Sequence, residues 1–314
     1  MAYRKPTLLS IIIVNWNAGH QLRDCINSIQ KFGAPYVIQT IVVDNGSTDG
    51  SESTVTDVLG ITVILSGENL GFGKACNLGA QHAQGEYLLF LNPDAALYKD
   101  TLSITMAFME RPENSGVGIC GIRLVDENGD ATTSAARFPS LRILAGKTLG
   151  LSKLIPSLFP AHLMTPDELN ESQTVDQVIG AFFLIRKSLF DRCQGFDERF
   201  FVYFEEVDLS LRAMQLGYTS YFISDATAFH KGGGCSERVK ATRLFYSLRS
   251  RVLYAQKHYS AISYFLLIVL TAVELPLRLV QSVVRRSWAD AQNTLIAYRQ
   301  LIGYFCGEVD GVYR

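Results

Sequence analysis

The sequence predicts an α/β protein built on a mostly parallel, doubly wound sheet with flanking helices. Buried strand-like runs alternate with helix-like segments over residues 8–94, and several runs end in polar residues. Strands joined by crossover helices pair in parallel and place their carboxyl ends at one edge of the sheet. Because such sheets bind ligands at that edge, the same pattern predicts a cleft for a polar ligand.

The first four strands are predicted from apolar, β-branched runs. They are expected at residues 8–15, 40–44, 61–65 and 87–91. Leu22, Ile26 and Ile29 recur at helical spacing, and residues 75–83 form a second helical segment. The fourth strand is apolar at every position, which indicates burial on both faces, and Pro93 ends it.

Composition indicates a globular chain with one large domain or two smaller ones. The 314 residues are 48% hydrophobic and carry a net charge of −1, without the basic excess typical of nucleic acid binding. The six cysteines form no Cys-x-x-Cys pair, so they indicate neither a disulfide framework nor a zinc cluster. We therefore expect a reducing, cytoplasmic setting. The apolar run from Leu8 to Val14 lacks a cleavage site and is interpreted as the first strand, not as a signal peptide.

Polar residues follow three of the predicted strands. They are Asn15-Trp16-Asn17, Asp44-Asn45 and Asn92-Pro93-Asp94. Asp94 follows a rigid buried strand, where a carboxylate is well placed to hold a metal or a polar substrate. Residues 92–94 also favour turns, so a purely structural turn is the alternative. Three polar ends at one edge favour the ligand cleft.

A glycine-rich segment, residues 69–79, lies between the third and fourth strands. It fits neither the phosphate loop nor the dinucleotide-binding fingerprint. Its glycines allow close backbone approach, and Lys74 and the amide groups at a helix start can meet an anion.

The middle of the chain is less regular. Residues 117–125 predict a further strand, and residues 132–171 predict an inserted region with short helices, typical of a lid or a substrate-selective wall. Residues 178–185 predict another buried strand, in which Gly180 and Ala181 leave room for a ligand to approach.

Three acids, Glu205, Glu206 and Asp208, directly follow an aromatic run. A helix beginning near Glu205 favours carboxylates in its first turn, which is a structural explanation for them. In that helix Glu205, Asp208 and Arg212 share one face, and Glu206 lies about 100° away. A carboxylate beside an aromatic wall also has the raised pKa of a general base.

Further on, His230 ends a short strand before a glycine-rich segment, an arrangement typical of a site that closes on its substrate.

Together these segments resemble family 2 glycosyltransferases, and among them the rhamnosyltransferase-like members. The resemblance spans about residues 8–258 and rests on an ordered series of blocks, namely Val14–Asn17, Asp44–Ser47, Asn69–Gly79, Leu91–Ala95, Gly180–Phe182, Gly195–Arg212 and His230. It implies a GT-A fold, a dTDP- or UDP-sugar donor, Mg²⁺ or Mn²⁺ as cofactor, and inversion at the anomeric carbon.

The resemblance also implies roles for individual residues. The nucleotide-sugar-binding positions are Val14, Asn15, Trp16, Asp44, Asn45, Asn69, Gly71, Phe72, Lys74, Asn77, Asn92 and Pro93. The metal ligands are Asp94 and His230, and the acceptor-binding residues are Gly180, Ala181 and Arg212. Asn92 stands where the family carries the first aspartate of an Asp-x-Asp motif.

The catalytic positions implied by the resemblance are Glu205, Glu206 and Asp208. Glu206 is expected to be the base, at a position where the family usually has aspartate, and Asp208 is the alternative. Glu205 and Arg212 are expected to orient the site or the acceptor.

The C-terminal part predicts a helical, membrane-associated extension. Ten Lys or Arg between residues 238 and 299 stand against two acids, and residues 261–273 are almost continuously apolar. That run is shorter than the ~20 residues of a spanning helix, and Glu274, Pro276 and Arg278 interrupt it, so an interfacial amphipathic helix is favoured. The basic residues Arg243, Arg249, Arg251, Arg285 and Arg286 would then face anionic lipid or a lipid-linked pyrophosphate acceptor. A buried helix packed on the catalytic domain or on a second subunit is the alternative.

We therefore expect a catalytic domain over residues 1–237 and a helical region over residues 238–314. The nucleotide-binding half of the catalytic domain covers about residues 1–95, and the acceptor half about residues 96–237. The expected activity is inverting, metal-dependent transfer of a sugar, rhamnose from a dTDP donor, to a lipid-linked or polysaccharide acceptor at the inner face of the cell membrane. The alternatives are a sugar nucleotidyltransferase and a non-catalytic nucleotide-sugar-binding module. All of this requires Asp94, His230 and Glu206 to converge on one pocket.

Overall fold

The computed structural model of the protein describes residues 9–232 and 240–307. Its strands are β1 (Leu9–Asn15), β2 (Val37–Asp44), β3 (Ile61–Leu65), β4 (Tyr87–Leu91), β5 (Ala95–Leu97), β6 (Val117–Val125), β7 (Ala135–Ala136), β8 (Gln173–Val175), β9 (Gln177–Val178), β10 (Phe182–Arg186) and β11 (Thr219–His230). Its α-helices are α1 (His20–Phe32), α2 (Phe72–Gln81), α3 (Thr101–Met109), α4 (Leu141–Thr148), α5 (Leu151–Leu154), α6 (Lys187–Arg192), α7 (Glu205–Gln215), α8 (Lys240–His258), α9 (Ala261–Val284) and α10 (Trp288–Phe305). Short 3₁₀ helices span Ser51–Val55, Pro112–Asn114 and Pro166–Leu169.

The described residues group into two compact units. The sheet unit comprises residues 9–138, 163–198 and 205–232, and the helical unit comprises residues 139–162, 199–204 and 240–307. The division of the chain into domains at residue 237 stays a prediction. Most of the glycine-rich segment expected after His230 lies outside the described residues.

The sheet unit is organised by one mixed sheet in which most strands run in the same direction. Its order is β3-β2-β1-β4-β10-β6-β11-β5, with β8 paired to β11. β1 pairs in parallel with β2 and β4, and β2 with β3. β10 is antiparallel to both β4 and β6, so β6 and its parallel neighbour β11 point the same way as β1. The α/β class with a mostly parallel sheet is thereby confirmed.

This strand direction brings the predicted polar residues to one edge. β1 ends at Asn15, β2 at Asp44, and β11 at His230. Asp94 follows β4 in the turn that leads into β5, and β5 pairs with β11 so that Ala95 lies opposite His230. Asp94 and His230, the two predicted metal ligands, therefore lie side by side at the carboxyl edge of the sheet.

Apolar residues on alternate positions of the strands build a core on each face of the sheet. Leu9, Ile11 and Ile13 of β1 belong to the core that contains α1. Ile12 and Val14 of the same strand belong to the core on the other face, which contains α2. Since successive strand residues point to opposite faces and both faces are covered, β1 is buried at every position, and all of its residues except Ser10 and Asn15 are apolar.

One predicted strand is divided in the structure. Residues 178–185 were expected to form a single strand, but β9 and β10 are separate and Ile179–Ala181 connects them. Gln177 and Val178 pair with β7, whereas Phe182–Arg186 pairs with β4 and β6. The strand is broken where its pairing changes from β7 to β4 and β6. An apolar run in the sequence does not indicate where the neighbouring strand changes.

The helical unit packs α8, α9 and α10 around small apolar clusters. Phe245 and Leu248 of α8 meet Ala297 and Leu301 of α10 in one cluster. A second cluster joins Leu267 of α9 with residues of α4 and α8. The short helices α4 and α5 confirm the expectation of short helices within residues 132–171.

Helix α9 continues where the sequence predicted an interruption. It spans 24 residues and includes Pro276. Glu274 does not end it, because Arg251 and Arg278 neutralise this buried carboxylate at 2.7 and 2.6 Å. Among the described residues α9 is the helix that is long and apolar enough to cross a membrane, judged by length and composition alone.

Candidate active site

The ends of β1 and β2 are tied together by buried polar side chains. Asn15 Nδ2 donates hydrogen bonds to Asp44 Oδ1 and to Ser51 Oγ, both at 2.8 Å. Asp44 Oδ2 accepts from the Ser47 backbone N–H at 3.1 Å. Asn15 is fully buried and Asp44 nearly so. These residues form the rigid floor of the candidate nucleotide site, beside buried Val14 and half-buried Trp16.

Asn45 shapes the glycine-rich loop that leads into α2. Its Oδ1 accepts from the Leu70 backbone N–H at 2.8 Å, and its Nδ2 donates to Asn69 Oδ1 at 3.0 Å. Asn69 Oδ1 also accepts from the Gly71 backbone N–H at 3.0 Å. The loop therefore holds the start of α2 in a fixed position. Phe72 is half-buried there and Lys74 is exposed. A helix start with a nearby lysine can bind an anion.

Asn77 connects α2 to the loop before α7. Its Nδ2 donates to the Phe196 carbonyl at 2.9 Å, and its Oδ1 accepts from the Phe196 backbone N–H at 2.9 Å. Gly195 has φ +71°, and a Cβ there would lie 2.5 Å from Asn77 Oδ1. The structure thus commits the Asn77 amide to bracing the loop, whereas the sequence predicted a nucleotide-sugar contact.

Arg212 fixes the same loop to α7. Its Nε donates to Asp208 Oδ2 at 2.7 Å, and its guanidinium also binds the carbonyl oxygens of Cys193 and Gly195. The Asp208 side chain is completely buried. The ion pair holds the Asp208 carboxylate against Arg212, which favours Glu206 over Asp208 as base and gives Arg212 a structural contact in addition to its predicted acceptor role.

Glu205 and Glu206 begin α7 as two adjacent acids, of which Glu205 is buried and Glu206 half-buried. Within the described residues neither Glu205 Oε2 nor Glu206 Oε2 has a hydrogen-bond partner. Burial raises the pKa of both carboxyls, and the neighbouring Glu206 charge raises the pKa of Glu205 further. Burial is also the main cause that raises the pKa of Cys76, and both glutamates add to it, so the pair lies close to α2. Such carboxylates are ready to take up a proton.

The backbone before α7 is strained. Tyr203 has φ +70° and Phe204 has φ +71°, a left-handed conformation that side chains larger than glycine rarely adopt. Strain of this kind costs about 1–3 kcal/mol per residue and clusters at functional sites. The aromatic run was noticed in the sequence, but residue types carry no signal for this conformation.

The two predicted metal ligands meet at the sheet edge. His230 Nε2 lies 3.4 Å from Asp94 Oδ1, and both side chains are largely buried. Asn92 Nδ2 lies 3.3 Å from the same His230 nitrogen. Adjacent ligands of an octahedral Mg²⁺ or Mn²⁺ lie roughly 3 Å apart, so one imidazole nitrogen and one carboxylate oxygen at this separation fit such an ion. In residues 9–232 and 240–307 no third His, Cys, Asp or Glu joins the pair.

The predicted acceptor residues Gly180 and Ala181 lie next to this pair. The Asn92 backbone N–H donates to the Ala181 carbonyl at 3.0 Å. No atom lies within 4 Å of the position that a Cβ on Gly180 would occupy. The space above Gly180 is open beside the metal candidates, which is compatible with the predicted approach of an acceptor.

Some residues of the site were not predicted. Ser47 and Ser51 hold Asn15 and Asp44 in place, and Gly195 makes room for Asn77. Ser47 lies in the turn after β2 and belonged to a recognised block, whereas Ser51 begins the 3₁₀ helix that follows. Gly195 belonged to a recognised block, but its contact with Asn77 depends on tertiary packing.

The fold is of the GT-A type. A mannosyltransferase from Pyrobaculum calidifontis, solved in complex with GDP-Man and Mn²⁺, superposes with a TM-score of 0.56 at 16% identity, over 95% of this chain and 88% of that one. A likeness at this identity shows the fold alone.

The chain belongs to glycosyl transferase family 2, whose sequence profile matches residues 10–193. It is 26% identical over 269 residues to the N-acetylglucosaminyl-diphospho-decaprenol L-rhamnosyltransferase of Mycobacterium tuberculosis, covering 80% of this chain and 85% of that protein. It is 28% identical over 233 residues to the rhamnosyltransferase WbbL of Escherichia coli, covering 71% and 83%. The predicted family and enzyme class are confirmed, whereas the roles of individual residues stay predictions.

Substitutions at two acids of α7 are expected to change stability in opposite directions. Asp208→Asn leaves the largely buried Arg212 without its counter-charge and should lower the free energy of unfolding by about 3 kcal/mol. Burial raises the pKa of Glu206, so Glu206→Gln removes a carboxylate whose charge the fold disfavours, and it should leave the free energy of unfolding unchanged or raise it. Urea denaturation of both variants measures the difference.

The effect of Glu206→Gln should also depend on pH. The folded chain raises the pKa of Glu206 above its unfolded value of about 4.3, so the wild type loses stability as the pH rises above about 4.3. The advantage of the glutamine variant should therefore be absent near pH 4 and grow toward neutral pH. A Glu206→Gln variant as unstable at neutral pH as Asp208→Asn would show that Glu206 has a stabilising partner.

Proposed function

We propose that the protein is an inverting, divalent-metal-dependent hexosyltransferase that moves L-rhamnose from a dTDP donor to a lipid-linked or polysaccharide acceptor. The observation that carries this proposal is the meeting of Asp94 and His230 at the carboxyl edge of the sheet, in a chain that belongs to glycosyl transferase family 2. The names of the two relatives support rhamnose as the sugar, and one of those names supports a lipid-linked diphosphate acceptor.

Asp94 and His230 would hold the divalent ion, whose charge would offset that of the donor diphosphate. Lys74, exposed in the first turn of α2, would approach the same diphosphate. The floor of Asn15, Asp44 and Asn45 would position the nucleoside. The ion and Lys74 would favour departure of the nucleoside diphosphate because their positive charge offsets the negative charge that grows on it.

Glu206 would act as the general base. The acceptor hydroxyl attacks the anomeric carbon from the side opposite the diphosphate, the bond to the diphosphate oxygen breaks, and the hydroxyl proton passes to the Glu206 carboxylate. A single displacement of this kind inverts the anomeric carbon. Burial raises the pKa of Glu206 and makes its ionised form a stronger base than an exposed carboxylate. The Glu206 charge in turn raises the pKa of Glu205, which would keep Glu205 protonated beside the base.

The exposed face of α9 supports a membrane partner. Apolar side chains line this face along the whole helix, namely Ile262, Phe265, Leu266, Val269, Val273, Leu277, Val280, Val283 and Val284. An apolar face of this length, about 36 Å at the rise of an α-helix, is typical of a segment that contacts lipid. We propose that the helical unit places the enzyme on the cytoplasmic face of the membrane; a second copy of the chain on the same face is the alternative.

Replacing the proposed base should abolish transfer without abolishing donor binding. Glu206→Gln is expected to lower the rate of transfer by about 10³-fold, the contribution of a general base, while the Kd for the donor stays near the wild-type value. Glu113→Gln, at an exposed acid in the turn Pro112–Asn114, is the matched control. Transfer at the wild-type rate by Glu206→Gln would exclude Glu206 as base, and a wild type that binds donor without turnover would indicate a binding module.

Removal of divalent metal should stop transfer. EDTA is expected to abolish activity, and Mn²⁺ or Mg²⁺ to restore it. Asp94→Asn should raise the Mn²⁺ concentration for half-maximal activity by at least about tenfold, because one of two protein ligands loses its charge. Asp225→Asn, at an exposed acid on the strand that carries His230, should leave this concentration unchanged. Full activity in EDTA would contradict the metal dependence.

A further inference from the structure

The helical unit contains a cavity that the proposed reaction does not use. It has a volume of about 260 Å³ and lies among residues of α8, α9 and α10. Three cationic side chains line it, namely Lys240 of α8, Arg278 of α9 and Arg285, which directly follows α9, against a single acid, Asp290 of α10. Binding sites for drug-sized ligands usually exceed about 300 Å³, so this cavity suits a small anionic group better than a whole nucleotide sugar.

One of these cations is held in a fixed orientation. Arg278 contacts Glu274 through Nε at 2.7 Å and through a terminal nitrogen at 2.6 Å. Glu274 is buried and also pairs with Arg251 at 2.7 Å, so these three side chains together keep one positive charge. Lys240 and Arg285 are exposed at the cavity and add two more. The negative charge of Asp290 does not cancel these positive charges, so the cavity has a net positive charge. Gln281 and Asn293 add hydrogen-bond donors.

The same stretch of α9 carries an apolar face on its other side. Arg278, Gln281 and Arg285 recur at spacings of three and four residues and therefore share one face of the helix. Val280 and Val284, which are 62% and 77% exposed, lie away from that face. The end of α9 thus combines groups that bind phosphate with a surface that favours hydrocarbon, which matches a phosphate attached to a lipid chain.

We propose that the cavity formed by Lys240, Arg278 and Arg285 binds the phosphate group of a lipid. This inference rests on the proposed function, since a lipid phosphate reaches this protein either as the headgroup of an anionic phospholipid or as the diphosphate of a lipid-linked acceptor. Both sources present the same chemistry to the cavity, a phosphate oxygen held by guanidinium and ammonium groups. Arg278 provides a hydrogen-bond donor in a fixed orientation, and the exposed side chains of Lys240 and Arg285 bind the same anion.

Vesicle binding by the full-length chain tests the cavity. Three vesicle types serve as probes: phosphatidylcholine alone, phosphatidylcholine with phosphatidylglycerol, and phosphatidylcholine with a polyprenyl diphosphate. Arg285→Gln and Lys240→Gln should each weaken binding to at least one of the phosphate-bearing types by about fivefold, as expected for one basic side chain at an anionic surface. Binding to phosphatidylcholine alone should not change.

Two further variants make the test specific. Arg286→Gln removes an equal charge from an exposed neighbour that does not line the cavity, so it should have a much smaller effect than Arg285→Gln. Asp290→Asn removes the acid of the cavity and should tighten binding to the phosphate-bearing vesicles but not to phosphatidylcholine alone, whereas apolar surface exposed by misfolding would increase binding to all three types. The vesicle type whose binding responds identifies the phosphate source.

Equal effects of Arg285→Gln and Arg286→Gln, or no effect of the cavity variants on either phosphate-bearing vesicle, would overturn the proposal. The assay contains no donor, so its result is independent of transfer. Cavity-specific binding without any transfer would support this inference and refute the proposed function. Transfer without cavity-specific binding would support the proposed function and refute this inference.

Discussion

The ion pair between Asp208 and Arg212 is the constraint on which the candidate site depends. A completely buried carboxylate is costly unless a counter-charge and hydrogen bonds compensate it, and Arg212 supplies both. The guanidinium also binds the carbonyl oxygens of Cys193 and Gly195, so α7 cannot shift without breaking the loop before it. Asn77 ties that loop to α2. The start of α7 is therefore fixed relative to the helix that carries Lys74.

This fixed position explains how two adjacent glutamates stay buried. Glu205 and Glu206 would relax toward solvent if α7 were loosely held, because each loses solvation in the fold. The braced loop holds the start of α7, and the left-handed conformation of Tyr203 and Phe204 carries an energetic cost. Tolerated strain and unsatisfied carboxylates are features that protein stability alone does not favour. They make sense in a site where a carboxylate must accept a proton during the reaction.

Sequence reasoning predicted the parts of the fold that burial dictates. β1, β4 and β6 are apolar runs whose observed bounds lie within a residue of the prediction, and α7 begins at the predicted Glu205. The three-residue β5 escaped detection because it is too short for a periodic pattern. α9 continues past Glu274 and Pro276, and the ion pairs with Arg251 and Arg278 that neutralise the acid are not visible in a hydropathy pattern. In the site, residue types indicated the acids and His230, but the bracing roles of Asn77 and Arg212 depend on contacts distant in sequence.

The claim that Glu206 is the base is tested most directly by the pH dependence of kcat/KM for sugar transfer. This quantity reports the pKa of the base in the free enzyme. The wild-type profile is predicted to rise through an apparent pKa above the ordinary carboxyl value of about 4.3, because burial raises the pKa of Glu206. In Glu205→Gln that rise should stay near its wild-type position, because burial and not the Glu205 charge raises the pKa of Glu206, whereas Glu206→Gln should remove the rise. A profile that rises at the ordinary carboxyl pKa, or one that Glu206→Gln leaves in place, would contradict the claim.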